Sequence, residues 1–204
     1  MNNVFTLINE RVSASSYVKD DSIEITDIEK LISFATKAPS AFNLQNWRFI
    51  AVKSPEAKQR LLPIAYNQAK VVESAVTFII CGTKNPQDLI AENLKPSVEQ
   101  GILTQEIFDG WVGAVNNMYG NNPQFQRDEA IRSGTFAGMT LMMAAQGMGF
   151  VTCPMIGFDS AALQKEFNIS DNEVPVMMVT VGTVGPDNWP QKPRRHVSDV
   201  LSII

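Results

Sequence analysis

"PQFQRDEAIRSGTFAGMTLMMAAQG", residues 123–147, is the stretch that constrains the fold most strongly. We expect a helix from Pro123 or Gln124 to about residue 146, because proline suits a first helical turn and the glycines at the end stop the helix. Beyond Ser133 the residues are almost all apolar or small, so the helix is predicted to be buried all round. This apolar part, 133–145, is too short to cross a membrane.

Two glycines lie one turn apart inside this helix, at Gly134 and Gly138. A glycine within a helix costs about 1 kcal/mol relative to alanine, and close approach of another chain segment would offset that cost. The helix is therefore either the core of one domain or part of an interface between two subunits. The second explanation arises because a chain of 204 residues has little core with which to surround such a helix.

Helical and strand patterns alternate irregularly around this helix. The predicted strands are 47–52, 75–81, 151–155 and 174–184. The predicted helices are 4–10, 28–35 behind a capping box at Thr26 and Glu29, 55–62, a short one carrying Asn67 and Lys70, 87–93, 103–118, and one from Asp159 to Phe167. No glycine-rich dinucleotide fingerprint follows a strand. We therefore expect an α+β protein, a mixed central β-sheet flanked by helices, in one domain over residues 1–204.

The composition excludes several classes of function. Hydrophobic residues make up 45% of the chain and charged residues 19%, as in ordinary globular proteins. A net charge of −4 argues against nucleic acid as a partner, since phosphate backbones attract basic surfaces. His196 is the only histidine, so a histidine-rich metal site is excluded and no metal is expected.

The two cysteines and the first residues bear on the compartment. Cys81 lies in an apolar run, whereas Cys153 lies beside Pro154 near a possible pocket, and no disulfide is expected. Residues 1–11 have helical spacing without the basic start and long apolar run of a signal peptide. We therefore expect a cytoplasmic protein without membrane partners.

Four short clusters could carry chemistry. They are Arg11-Val12-Ser13-Ala14-Ser15; the amides Asn43, Gln45 and Asn46 in "APSAFNLQNWRFIAVK", residues 38–53; Asn67 and Lys70, predicted to share one helix face; and Lys192-Pro193-Arg194-Arg195. An arginine with nearby hydroxyls suits a phosphate, because the guanidinium donors form a planar fork. Apart from the amides, each cluster taken alone also fits an ordinary solvated surface.

Taken in order, these clusters resemble a known family. The pattern is Arg11-x-Ser13, Pro39-Ser40-Ala41-x-Asn43-x-Gln45-x-Trp47, Asn67-x-x-Lys70, Pro154-x-x-Gly157-Phe158-Asp159 and Lys192-x-Arg194. It is similar to that of the FMN-dependent nitroreductase family, a group of homodimeric flavoproteins. The resemblance runs from about residue 5 to about residue 200. It implies a nitroreductase-like fold with the long helix buried at the dimer interface.

The resemblance also implies roles for particular residues. The cofactor-binding residues would be Arg11, Ser13, Lys192 and Arg194 at the FMN phosphate, Asn67 and Lys70 at the pyrimidine edge, Pro154, Met155, Ile156 and Gly157 beside the ring, and in addition Val12 and Ser15, the latter where a basic residue would contact the ring. Pro39, Ser40, Ala41 and Asn43 would reach the same FMN from the other subunit. Phe42 and Phe125 are candidates for the substrate side, although such aromatics are more often part of a core. No side chain is assigned as a catalytic acid or base.

Three departures from the family pattern carry expectations. Ser15 stands where a basic residue is common, which predicts a lower flavin potential. Asn46 replaces a usual proline and should affect only loop stiffness. Ile156 stands where some members have glutamate, so the space near the ring should be more apolar.

We therefore expect a homodimeric FMN oxidoreductase that uses NADH or NADPH. Its acceptors would be nitroaromatics, quinones or similar small electrophiles. Three alternatives stay open: an enal, enone or aldehyde reductase of the same family, a non-catalytic flavin-binding or storage protein, and a plain interaction domain without a ligand.

Overall fold

A computed structural model describes residues 4–19 and 21–204. The expectation that residues 1–11 carry no targeting segment falls in part outside this range. The helices are α1 Val4–Glu10, α2 Ile25–Ala35, α3 Pro55–Ile64, α4 Lys70–Glu73, α5 Ile90–Glu99, α6 Gln105–Tyr119, α7 Pro123–Gly147 and α8 Ser160–Glu166. The strands are β1 Trp47–Val52, β2 Val76–Thr83, β3 Val151–Met155 and β4 Glu173–Gly182. Short 3₁₀ turns lie at Ala41–Asn43, Pro86–Asp88 and Val197–Asp199.

The four strands form one sheet in the order β1-β2-β4-β3, and each neighbouring pair is antiparallel. A single parallel bridge joins Ser13 to Thr152 at the β3 edge. The α+β class predicted from the sequence is confirmed. The parallel component of the sheet, in the part of the chain described, is limited to that bridge.

Apolar side chains alternate between the two faces of the sheet, as the strand period requires. Phe78 and Ile80 of β2 pack on one face with α2 and α7, whereas Ile79 and Cys81 pack on the other face with α3 and α8. A third, smaller apolar cluster lies between α5, α6 and the turn at Ala41–Asn43. The sheet is therefore covered on both faces, which gives its edges and loops fixed positions.

Helix α7 packs its glycines onto the sheet. A Cβ at Gly134 would lie 2.8 Å from Val176 Cγ2, and one at Gly138 would lie 2.9 Å from Met177 Sδ. The glycines are thus explained by contacts within one chain. The prediction that the helix is buried all round is wrong for the single chain, because Phe136 and Met139 are 48% and 42% exposed on its outer face.

Three local helix predictions were wrong. Helix α2 begins at Ile25 with Glu24 as its N-cap, and no side chain makes a cap hydrogen bond, so Thr26 lies inside the helix instead of capping it. Asn67 is not helical: it has a φ of 57° in the turn before α4. Asn67 and Lys70 therefore do not share a helix face. Pro63, expected to end α3, lies within that helix.

The described part of the chain contains neither a candidate metal site nor a candidate membrane-spanning helix. Across residues 4–19 and 21–204, no group of three or more His, Cys, Asp and Glu side chains could hold a metal ion. None of the helices in those same ranges has the length and apolarity that a membrane span needs.

Candidate functional site

A pocket of about 400 Å³ opens at the β3 edge of the sheet. Its walls come from the segment after α1, the start of α4, the middle of β3 and the segment after β4. The lining residues are Arg11, Val12, Ser13, Ala14, Ser15, Lys70, Cys153, Trp189, Pro190, Gln191, Lys192 and Arg194. Regions that are far apart in sequence therefore meet at one cavity.

The segment after α1, residues 11–15, forms the first wall of the pocket, and its backbone fixes it to the sheet. The N–H of Ala14 donates to the carbonyl of Thr152 at 2.9 Å, next to the parallel bridge at Ser13. The Ala14 side chain is 1% exposed, so this segment is anchored in the core while its neighbours face the pocket. The segment after β4, residues 189–194, forms the second wall. It contacts the first wall through Gln191 Nε2, which donates to the carbonyl of Arg11 at 3.1 Å.

The pocket is strongly basic. Arg11, Lys70, Lys192 and Arg194 all line it, and no acidic side chain is present among its described lining residues. The Nη1 atom of Arg11 is buried and has no hydrogen-bond partner. A buried donor without a partner is costly, so this atom favours a ligand that supplies an acceptor.

The other cations have weak or partial partners. Lys192 Nζ lies 4.6 Å from the centre of the Trp189 ring, and Lys70 Nζ lies 3.4 Å from Cys153 Sγ, a weak acceptor. Arg194 donates to the carbonyl of Lys192 and to Gln191 Oε1. Positive charge is thus concentrated without carboxylates to neutralise it, and the pocket suits a phosphate or another anion.

A comparison with known proteins identifies the family. The sequence model of the nitroreductase family matches residues 8–183. This chain belongs to the nitroreductase family. The resemblance drawn from the sequence motifs is confirmed, and so is the prediction of an enzyme from an oxidoreductase family.

Individual relatives cover nearly the whole nitroreductase chain. YodC of Bacillus subtilis, whose name assigns it as an NAD(P)H nitroreductase, is 38% identical over 89% of this chain and 90% of its own. A crystal structure from Exiguobacterium sibiricum, described as a nitroreductase in complex with FMN, is 28% identical with a TM-score of 0.92, covering 100% of this chain and 98% of that one. A protein from Lactiplantibacillus plantarum named as a CLA biosynthesis enone reductase is 26% identical over 89% of this chain and 85% of its own.

Seven of the residues predicted from the sequence meet in the nitroreductase pocket: Arg11, Val12, Ser13, Ser15, Lys70, Lys192 and Arg194. Ser15 directs its hydroxyl to Asn188 Oδ1 and to the carbonyl of Asp187, both at 3.3 Å. The serine is therefore engaged with the neighbouring segment.

The segments predicted to lie beside the flavin ring are outside the pocket lining but adjoin it in the chain. Ile156 is 83% exposed just after β3, whereas the Met155 side chain is buried in the core. Gln68 Nε2 donates to the carbonyl of Gly157 at 2.9 Å, which joins the turn containing Asn67 to the end of β3. The roles of Asn67 and residues 154–157 toward a cofactor stay predictions.

Residues 39–43 are not among the lining residues of the basic pocket of their own chain. Phe42 and Asn43 have φ angles of 51° and 56°, an uncommon region for residues other than glycine. Ser40 Oγ accepts a hydrogen bond from the N–H of Gln45 at 2.9 Å and holds this conformation. The assignment of Pro39, Ser40, Ala41 and Asn43 to a partner's cofactor stays a prediction.

Asn46, one of the three amides in residues 38–53, has a structural role. Asn46 is fully buried, and its Nδ2 donates to the carbonyl of Thr83 at 2.9 Å. The expectation that Asn46 affects only loop stiffness is wrong, because its side chain ties the start of β1 to the end of β2. Its burial between two strands was not visible from its neighbours in sequence.

The two substrate candidates pack in the third apolar cluster. The Phe42 ring packs edge-on against Trp111, with 5.8 Å between the ring centroids, and the Phe125 ring stacks on Tyr119, with 4.9 Å between the centroids. Neither lines the basic pocket of this chain. Their role toward a substrate stays a prediction.

Trp189, Pro190 and Gln191 line the pocket but were not selected from the sequence. They directly precede the basic Lys192–Arg194 turn, and that proximity was the signal that could have found them.

The two thiols differ in their relation to the site. Cys153 is part of the pocket wall, whereas burial raises the pKa of the Cys81 thiol to about 12 and keeps it protonated.

Proposed function

We propose that the protein is a homodimeric FMN-dependent oxidoreductase that takes hydride from NADH or NADPH and delivers it to nitroaromatics, quinones or similar flat electrophiles. The observation that carries this proposal is the basic pocket, where Arg11, Lys192 and Arg194 converge and Arg11 Nη1 has no partner. The nitroreductase family and its relative in complex with FMN support the choice of cofactor.

The pocket residues divide the binding work by position. Arg11, Lys192 and Arg194, with the Ser13 hydroxyl, would hold the FMN phosphate through charge-assisted hydrogen bonds. FMN, when bound, supplies a ring that can accept hydride from a nicotinamide and pass it on. Lys70, at the start of α4, places a positive charge in the pocket that would stabilise an electron-rich ring and so raise its reduction potential.

No side chain is assigned as a catalytic acid or base: the proton that a nitro group or quinone takes up with the hydride would come from solvent, and the lone histidine is engaged elsewhere. His196 Nδ1 lies 2.7 Å from Ser198 Oγ in the exposed C-terminal turn. The protein's contribution is to bind, orient and exclude water. The exposed Ile156 would make the acceptor side apolar, which favours flat uncharged electrophiles.

Exposed apolar surface supports the dimer. The outer face of α7 presents Phe136 and Met139, and the C-terminal tail exposes Val197, Val200, Leu201, Ile203 and Ile204. Large apolar side chains exposed on a helix face and along a tail are typical of surfaces that a partner covers. Pro39, Ser40, Ala41 and Asn43 would then reach the partner's cofactor. Two free thiols and a nicotinamide reductant suit a cytoplasmic location.

A second acceptor class has a specific observation in its favour. The CLA biosynthesis relative from Lactiplantibacillus plantarum is named an enone reductase. A substrate panel of nitroaromatics, quinones and enones, compared by kcat/KM, separates the two acceptor classes.

The cofactor and reductant are tested together with the purified protein. We expect it to retain FMN through gel filtration and the bound flavin to lose its yellow absorption on addition of NADH or NADPH without oxygen. Flavin that binds but is not bleached by either nicotinamide would favour a storage protein. A protein that stays colourless after incubation with FMN would contradict the proposal.

A further inference from the structure

The two basic walls of the pocket come from opposite ends of the chain, and one side chain, Asn188, makes several of the hydrogen bonds between them. Its Oδ1 accepts from the N–H of Ser15 at 2.7 Å and from the N–H of Ser16 at 3.3 Å. Its Nδ2 donates to the carbonyl of Ser16 at 3.0 Å and to the carbonyl of Gly185 at 2.9 Å. One amide therefore bonds to both segments at once, which uses its full donor and acceptor capacity.

The segment that follows β4 runs close beside the first wall up to this point. Its backbone pairs with the continuation of the first wall through a bridge between Val184 and Tyr17. The N–H of Gly185 also donates to the carbonyl of Ser16 at 3.2 Å. A Cβ at Gly185 would lie 2.6 Å from the backbone of Tyr17, so only glycine allows this approach. Asn188 is the last firm link before the chain enters the pocket.

Beyond Asn188 the chain has little to hold it in place. Residues 189–195 are all exposed and belong to no helix or strand. Their described links back to the first wall run through Gln191, which bonds to the carbonyl of Arg11. The positions of Lys192 and Arg194 relative to Arg11 therefore depend on how firmly the segment is fixed at residue 188.

We propose that Asn188 is a positioning residue of this pocket: its amide fixes the segment carrying Lys192 and Arg194 against the segment carrying Arg11, and so sets the spacing of the cations that receive the phosphate. The consequence for FMN rests on the proposed function. The clamp itself exists in the protein without cofactor, so it can be tested separately.

The test compares wild type with Asn188→Ala, Asn188→Asp and a control, Asn117→Ala. Asn117 is exposed on α6, far from the pocket in sequence, and makes no described side-chain bond. Hydrogen–deuterium exchange on the cofactor-free proteins reports the clamp directly. Titration with FMN and with riboflavin, which lacks the phosphate, reports its effect on binding.

We expect Asn188→Ala to exchange the Ser15 and Ser16 amides at least about tenfold faster and to bind FMN about tenfold more weakly, the scale of a lost pair of hydrogen bonds. Riboflavin affinity should not change. Asn188→Asp keeps the acceptor and should retain most of the amide protection. Asn117→Ala should match wild type in every measurement.

Unchanged exchange at Ser15 and Ser16 in Asn188→Ala, or FMN affinity equal to that of wild type, would overturn the positioning role. An equal loss of FMN and riboflavin affinity would overturn it as well, since the clamp acts on the phosphate end. Failure of wild type to prefer FMN over riboflavin would instead count against the proposed function, and the exchange measurement would still decide whether the clamp exists.

Discussion

At the scale of single residues, adjacent side chains in the basic turn have different surroundings. Arg194 lines the pocket, whereas the next residue, Arg195, donates to the carbonyl of Asp199 and lies outside the lining. Two neighbouring arginines thus offer a matched comparison of the same charge in two positions.

We expect Arg194→Ala to weaken FMN binding by about tenfold or more, because a hydrogen bond to a charged group contributes about 1.5–3 kcal/mol. Arg195→Ala should change the affinity less than twofold. Flavin fluorescence quenching gives both dissociation constants. Equal losses in the two variants would mean that general surface charge, instead of the pocket, governs binding.

Two positions that we propose to lie near the flavin ring test its electrostatics. Lys70→Met removes the positive charge at the start of α4. We expect the reduction potential of the flavin to fall by roughly 30 mV, which corresponds to about 1.4 kcal/mol for a two-electron couple. Ser15→Arg adds a charge where the family often has one and should raise the potential. Redox titration with a reference dye measures both. A potential that does not move in either variant would remove the argument.

Individual residues show what the sequence can and cannot reveal. Arg11, Lys192 and Arg194 could be selected because a motif gave them a shared ligand. Asn46 and Asn67 were assigned wrongly in part, because burial between strands and a left-handed turn depend on the surrounding fold. The Asn188 clamp was not predicted, because a lone asparagine in a loop carries no distinguishing pattern.

At the scale of elements, α7 explains how one helix organises the sheet. Its glycines face β2 and β4, and its outer face stays exposed. The sequence predicted the bounds of this helix and of β1 and β3 well, because long apolar periodicity and flanking breakers determine them locally. It did not predict which face of α7 meets the sheet, because the side chains opposite come from distant strands.

Two helical glycines give opposite predictions for the same substitution. Gly134→Ala should destabilise the fold by about 1–3 kcal/mol, because the new Cβ would lie 2.8 Å from Val176 Cγ2. Gly113→Ala on α6 has nothing within 4 Å of its new Cβ and should stabilise by about 0.5–1 kcal/mol through helix propensity. Urea unfolding measures both changes. Stabilisation by Gly134→Ala would show that the sheet can move away from α7.

At the scale of the whole molecule, the pocket of one chain supplies the cations but not the loop at residues 39–43. The proposed dimer would bring that loop to the cofactor of the partner. The exposed apolar face of α7 is the surface through which we expect the two copies to meet. A sequence read alone cannot establish this, because the contact lies between chains.

A charge on that face should separate the subunits. We expect Met139→Glu to shift the protein from dimer to monomer and to reduce FMN retention, because a carboxylate cannot be buried in an apolar contact without a partner. Ile102→Glu, at a position 69% exposed in the turn after α5, is the control and should leave the dimer intact. Sedimentation velocity distinguishes the two states. A dimer in both variants would place the interface elsewhere.

The comparison of FMN with riboflavin in the wild-type protein tests the central claim most directly. The two flavins share the ring and differ in the phosphate, so their difference in affinity measures the basic pocket alone. Convergence of Arg11, Lys192 and Arg194 on that phosphate predicts that FMN binds at least about 100-fold more tightly. Equal affinity for both flavins would contradict the account, because the pocket would then have no part in holding the cofactor.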